Sequence, residues 1–246
     1  MVILFWMLFF ATLLGGLAVA MQSTIPASVL PFLLAFSGGY LLAVTLLHLL
    51  PELFISEIAP LHIGSYMLMG FFLQRIIELF SGGVEHGHAM ASDSKHEPIN
   101  QHKVLPFLIC ITLHALLDGA ILVHGHLHHC VTRQMSLAAG ILLHKALEAF
   151  AFVGVLRSFS LTRSYYLFYL VLFSLASPLG LWISNYIKHY LSEYISIMLL
   201  AIVTGNFLYI AATILFEANP GHRFNQVAFW VSLLGASLAA YIEFLG

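Results

Sequence analysis

The sequence predicts an all-α, polytopic membrane protein of eight transmembrane helices. Of its 246 residues, 61% are hydrophobic and 8% charged, whereas a soluble domain has about 25% charged and about 45–50% apolar residues. Apolar stretches of about 20 residues, the length that crosses roughly 30 Å of hydrocarbon, recur from one end of the chain to the other. One long polar interval, 81–103, interrupts them, so residues 1–246 read as a single transmembrane domain with a His-containing cytoplasmic loop at 81–103.

The first span, 2–20, is apolar almost from its start, with no positive n-region before it and no small-residue cleavage motif after it. It reads as a retained helix and not as a signal peptide. The second, 27–50, contains Gly38 and Gly39 and ends in His48-Leu49-Leu50-Pro51-Glu52; the third, 61–80, carries Gln74, Arg75 and Glu78 near its end. Beyond the polar interval lie 104–123, 135–156, 165–184 with Pro178 and Gly180, 194–216 with Gly205 and Asn206, and 224–244. The Gly and Pro positions are either breaks that free backbone groups at a buried site or points where helices pack closely. Eight crossings put both termini on one side. Lys and Arg concentrate in cytoplasmic loops; with the termini outside, the inner loops hold Lys95, Lys103, Arg157, Arg163 and Arg223 against Arg133 and Lys188 outside. That asymmetry favours outward termini in the cell membrane.

A formal net charge of −2 from 9 basic and 11 acidic residues leaves no basic surface for nucleic acid. Cys110 and Cys130 have no repeated spacing and make neither a disulfide framework nor a thiolate zinc ribbon. The 14 histidines outnumber Lys and Arg together, and imidazole is the commonest protein metal ligand.

Ionisable groups inside a bilayer cost about 2.5 kcal/mol or more and mark function by default. The fourth span reads His114-Ala115-Leu116-Leu117-Asp118-Gly119, the fifth His144-Lys145-Ala146-Leu147-Glu148. Residues four apart share a helix face, so each span presents an imidazole over a carboxylate at mid-depth. Two neutral His and two carboxylates are four N and O donors for a tetrahedral ion, and two negative charges balance a dication. The plainer alternative is that each pair is an intrahelical hydrogen bond or interhelical glue.

These residues carry a resemblance. The chain is similar to the ZIP family of divalent metal transporters, whose fourth helix has a His-x-x-x-Asp/Glu-Gly motif and whose fifth has His-x-x-x-Glu. The segment His48 to Glu52, and Gly205-Asn206-Phe207-Leu208-Tyr209, near the family's Gly-Thr-Phe-Leu-Tyr, add to it. The resemblance implies a ZIP-like bundle and transport of a divalent transition metal toward the cytoplasm, zinc first and iron, manganese or cadmium as alternatives. It also implies a site of His114, Asp118, His144 and Glu148, an elevator-like or rocking alternating-access cycle, a homodimer, and a metal that is cargo and not a catalytic cofactor. Some relatives hold two metals through an Asn or Ser after the first His and an acid after the second. Ala115 and Lys145 stand there in this chain, which points to one metal, with the Lys145 ammonium in place of a second cation.

His48 and Glu52 are candidates for the route in, with a solvated helix end as the alternative for Glu52. Gln74, Glu78 and Glu217 are candidates for the route out, with a local Arg75–Glu78 pair as the alternative for the first two. The loop residues His86, His88, His96, His102, His124, His126, His128 and His129 suit weak metal buffering. Three rivals to a transporter of this kind remain: an intramembrane zinc hydrolase, a six-helix cation exporter, and a metal-stabilised membrane scaffold or sensor that transports nothing. Neither His-Glu-x-x-His nor Gly-x-Ser-x-Gly occurs.

Overall fold

In the computed structural model, the described residues are 1–21, 30–81, 104–124, 131–159, 161–217 and 225–245, and among them the chain is all helix and turn, with no strand. The elements are α1 (Val2–Met21), α2a (Leu30–Val44), a π turn (Thr45–Leu49), α2b (Leu50–Ile55), α3 (Pro60–Ser81), α4 (Val104–His124), α5 (Val131–Ser158), α6 (Arg163–Ile187), α7 (Glu193–Glu217) and α8 (Gln226–Leu245). Taking α2a to α2b as one rod gives eight rods where the sequence suggests eight spans. Among the described residues six are long and apolar enough to cross a membrane. Arg75 and Glu78 lower the apolarity of α3.

The second rod runs past the expected end at residue 50. Pro51 has no N–H to donate and would normally break the ladder. Here the preceding turn widens instead: the Leu50 N–H reaches back to the Thr45 carbonyl, and the rod continues to Ile55. Such π turns recur at functional positions, and this one carries His48.

Helices pack in four tight pairs, α2a with α8, α3 with α7, α4 with α6 and α1 with α5. Glycine sits at each crossing. A Cβ on Gly119 would lie 1.8 Å from the Ser177 carbonyl oxygen, and one on Gly180 2.0 Å from that of Leu116. Without a hydrophobic drive between helices in lipid, such close backbone approach is what holds spans together. The sequence's two readings of Gly39, Gly180 and Gly205 therefore resolve toward packing, since each meets a neighbouring helix's carbonyl.

Those crossings come in matched sets. Gly39 meets Ser232 as Gly205 meets Met67, Gly235 meets Phe36 as Gly70 meets Ile202, and Gly15 meets Ala146 as Gly180 meets Leu116. Exchanging α1 with α6, α2 with α7, α3 with α8 and α4 with α5 leaves the packed pairs unchanged apart from α5 with α6 and α2b with α3. With successive rods alternating in direction, partners five rods apart, and the adjacent α4 and α5, run in opposite directions, so the chain is an inverted repeat of the kind found in secondary transporters. Counting from the matched glycines, His114 falls on His144, Asp118 on Glu148, Ala115 on Lys145 and Glu78 on Glu243. The apolar core divides accordingly: one cluster joins α1, α4, α5 and α6, and a second is drawn mainly from α2, α3, α7 and α8.

Candidate metal centre

The two repeated motifs meet. The ligand atoms of His114, Asp118, His144 and Glu148 lie within 4.8 Å of one another, and all four residues are buried. His114 Nε2 is 3.2 Å from Asp118 Oδ2 and 3.7 Å from Glu148 Oε1, so the fourth helix's imidazole faces carboxylates from both spans. The two imidazole rings stand edge to face with centroids 5.9 Å apart. Donors around a tetrahedral zinc at about 2.1 Å sit roughly 3.4 Å apart. The cluster is thus near that size, and closing on an ion takes movements of about an ångström.

Lys145 is part of the cluster. Its Nζ is 2.6 Å from Asp118 Oδ2, donates to Glu148 Oε2, and lies 5.5 Å from the centre of the Phe173 ring. It is fully buried. Asp118 and Glu148 therefore have a tethered ammonium between them, which offsets the cost of burying negative charge there. Ala115, its counterpart in the other repeat, is also fully buried and offers nothing polar.

A second polar cluster lies at the α2b end of the molecule. His48 Nδ1 is 3.2 Å from Glu243 Oε2 of α8, and His48 Nε2 is 3.9 Å from Glu52 Oε2. Glu52 is only 6% exposed, so the solvated-helix-end alternative fails: the π turn brings it inside with His48. Sequence reading passes over Glu243, which lies near the end of α8 and looks like an ordinary helix terminus. Its sign is an acid in an otherwise uncharged apolar helix.

The opposite end has a related arrangement. Glu78 Oε2 accepts from Arg75 Nη1 at 3.1 Å and from the Tyr209 hydroxyl, and Arg75 Nη1 also reaches Tyr209 at 3.2 Å. The local Arg75–Glu78 pair is present and extends across to α7 through Tyr209, which the sequence marks only as part of the Gly205–Tyr209 motif and not as a site residue. Gln74 is fully buried beside them. Glu217 closes α7, and its side chain is outside the described residues. So are His86, His88, His96, His102, His126, His128, His129 and the side chain of His124.

A multi-pass bundle of apolar helices that buries a His/carboxylate set makes a polytopic membrane protein whose interior holds a cluster that fits a metal ion. The family profile of the ZIP zinc transporter matches residues 81–243, and the chain belongs to that family. Metal-ion transport across a membrane is accordingly its activity in the broad sense, and metal is substrate. The matched stretch holds α4 to α8; α1 to α3 join it through the inverted repeat. No curated protein matches.

Proposed function

We propose that the chain moves zinc, or a divalent metal of similar ligand preference, toward the cytoplasm by alternating access through His114, Asp118, His144 and Glu148. The observation that supports this most is the convergence of those four buried donors from two repeat-related helices. Imidazole and carboxylate together select borderline and hard dications without the near-irreversible grip of thiolates. Ligands must be deprotonated to bind, so imidazole protonation favours release. An inside-negative potential contributes about 2.3 kcal/mol per charge per 100 mV, hence about twice that for a dication. Inward movement then needs no nucleotide.

The reading includes one metal per chain. With both carboxylates on a dication and Lys145 still protonated, the site would carry one excess positive charge, and a second dication would worsen it. Lys145 therefore swings aside or gives up its proton when the ion arrives. In the same reading all eight rods cross the membrane with termini outside. His48, Glu52 and Glu243 line the route in, Gln74 and Glu78 with Tyr209 the route out, Glu217 and the His-bearing loops hold metal weakly, and two chains pair as a homodimer. A hydrolase keeps one coordination position for water, which four protein donors would fill.

The test is purified protein in liposomes loaded with a zinc-sensing dye. A transporter dissipates an imposed zinc gradient, and His144→Ala abolishes that flux. Gradient collapse by the variant at the wild-type rate, or none by the wild type, would reject the proposal and favour a metal-stabilised scaffold.

A further inference from the structure

The two repeats differ at one place that the metal reading does not use. Between α4, α6 and α7 lies a cavity of about 270 Å³ whose walls include Leu117, Ala120, Ile121, Ile183, Leu200 and Val203. Among the described residues Ser184 alone lines it with a polar side chain, fewer than the two to four partners that hold a buried water, and dry apolar cavities take apolar guests. The cavity lies on the seam where α4 and α6 meet α7, and its buried lining residues Ile121, Leu200 and Val203 share one core cluster. In the other repeat the corresponding seam is formed by α5, α1 and α2, and Phe150 stands where Ala120 stands here. Phe150 packs against both clusters. The same seam is thus filled by an aromatic ring in one repeat and left open by a methyl group in the other.

We propose that a phospholipid acyl chain from the surrounding bilayer fills this cavity. Its mouth faces hydrocarbon: Ile183 and Ile187 of α6 are 43% and 39% exposed, and Leu179 and Trp182 beside them are exposed too. Exposed Tyr186, Tyr190 and Tyr194 follow at the end of α6 and start of α7, and aromatic residues of this kind sit at headgroup level. Lys188 lies among them, suitably placed for a lipid phosphate. An acyl chain entering at that level and running inward meets Ile121 and Leu200 and then Ala120. The inference depends on the spans being in a bilayer and not on which ion the site binds, so either can fail alone.

The test uses the full chain in phosphatidylcholine vesicles carrying a diazirine near the end of one acyl chain, with adducts mapped by mass spectrometry after irradiation. Ile121, Leu200 and Val203 are buried, so lipid reaches them only through the cavity, whereas Trp182 reports the outer face. The proposal expects adducts on Ile121, Leu200 or Val203 in the wild type. Ala120→Phe, which copies the filled repeat, should lower them at least tenfold with Trp182 labelling unchanged. Absence of the inner adducts in a chain labelled at Trp182, or their persistence in Ala120→Phe, would overturn it. Should Ala120→Phe fail to insert, Ala120→Leu is judged by the same two criteria.

Discussion

Replacing Lys145 by Met removes the ammonium and keeps most of the apolar stem. The wild-type Nζ is 2.6 Å from Asp118 Oδ2 and also donates to Glu148, the two oxygen donors an incoming dication needs. At about 4 Å and an effective dielectric of about 20, two unit charges interact by about 4 kcal/mol, and a dication facing an ammonium by about twice that. Movement of the lysine relieves much of it. Even about 2 kcal/mol of residual penalty exceeds the 1.4 kcal/mol that makes a tenfold change in Kd. Lys145→Met should therefore bind zinc at least tenfold more tightly, measured by titration calorimetry in detergent. The metal-free variant has the opposite problem, because removing one partner of a buried ion pair typically costs about 3–5 kcal/mol. Its Tm should fall below that of the wild type, and saturating zinc should recover most of the loss. A variant that binds zinc no better than the wild type, with an unchanged metal-free Tm, would refute the view of Lys145 as a tethered counter-cation competing with the metal.

Other outcomes follow from the same geometry. Glu243→Gln should raise KM for zinc uptake several-fold with less effect on kcat if the His48 cluster lies on the route in; an unchanged KM would remove Glu243 from it. Gly180→Leu must push α6 off the Leu116 carbonyl, where a Cβ already falls at 2.0 Å, and should cost more than about 2 kcal/mol, seen as loss of monodisperse protein on size exclusion. Shortening the loop at 81–103 should shift the apparent zinc affinity without abolishing uptake, and loss of all flux would make that loop part of the transport machinery. Uptake should slow as external pH falls from 8 to 5.5, because protonated imidazole cannot ligate; a flat profile would exclude His114 and His144 as metal ligands.

The helical order was legible because lipid imposes a length rule that few soluble folds share: apolar runs of span length marked every rod to within a few residues at most ends. The exception, the extension through Pro51, depends on a local widening of the helix that propensity does not register. The four donors at 114, 118, 144 and 148 were legible because polar groups in apolar sequence stand out and i, i+4 spacing fixes their face. Glu243 was not, and Tyr209 stood out only as part of the Gly205–Tyr209 motif, since the role of each becomes plain only when another helix brings His48 or Glu78 to it. From sequence Lys145 reads as a substitute for a second cation; on the proposed function its place between the carboxylates also makes it a competitor for the first. The inverted repeat was hidden because its halves share backbone crossings and one short motif, and little else in sequence.

On the proposed function one dication is held by two imidazoles and two carboxylates between α4 and α5. The most direct measurement is anomalous diffraction at the zinc edge from crystals grown with zinc. A single strong peak is expected about 2.0–2.2 Å from donor atoms of His114, Asp118, His144 and Glu148, with the Lys145 ammonium withdrawn from the two carboxylates. Two adjacent peaks between these helices, or a zinc-loaded structure with no peak there, would contradict it.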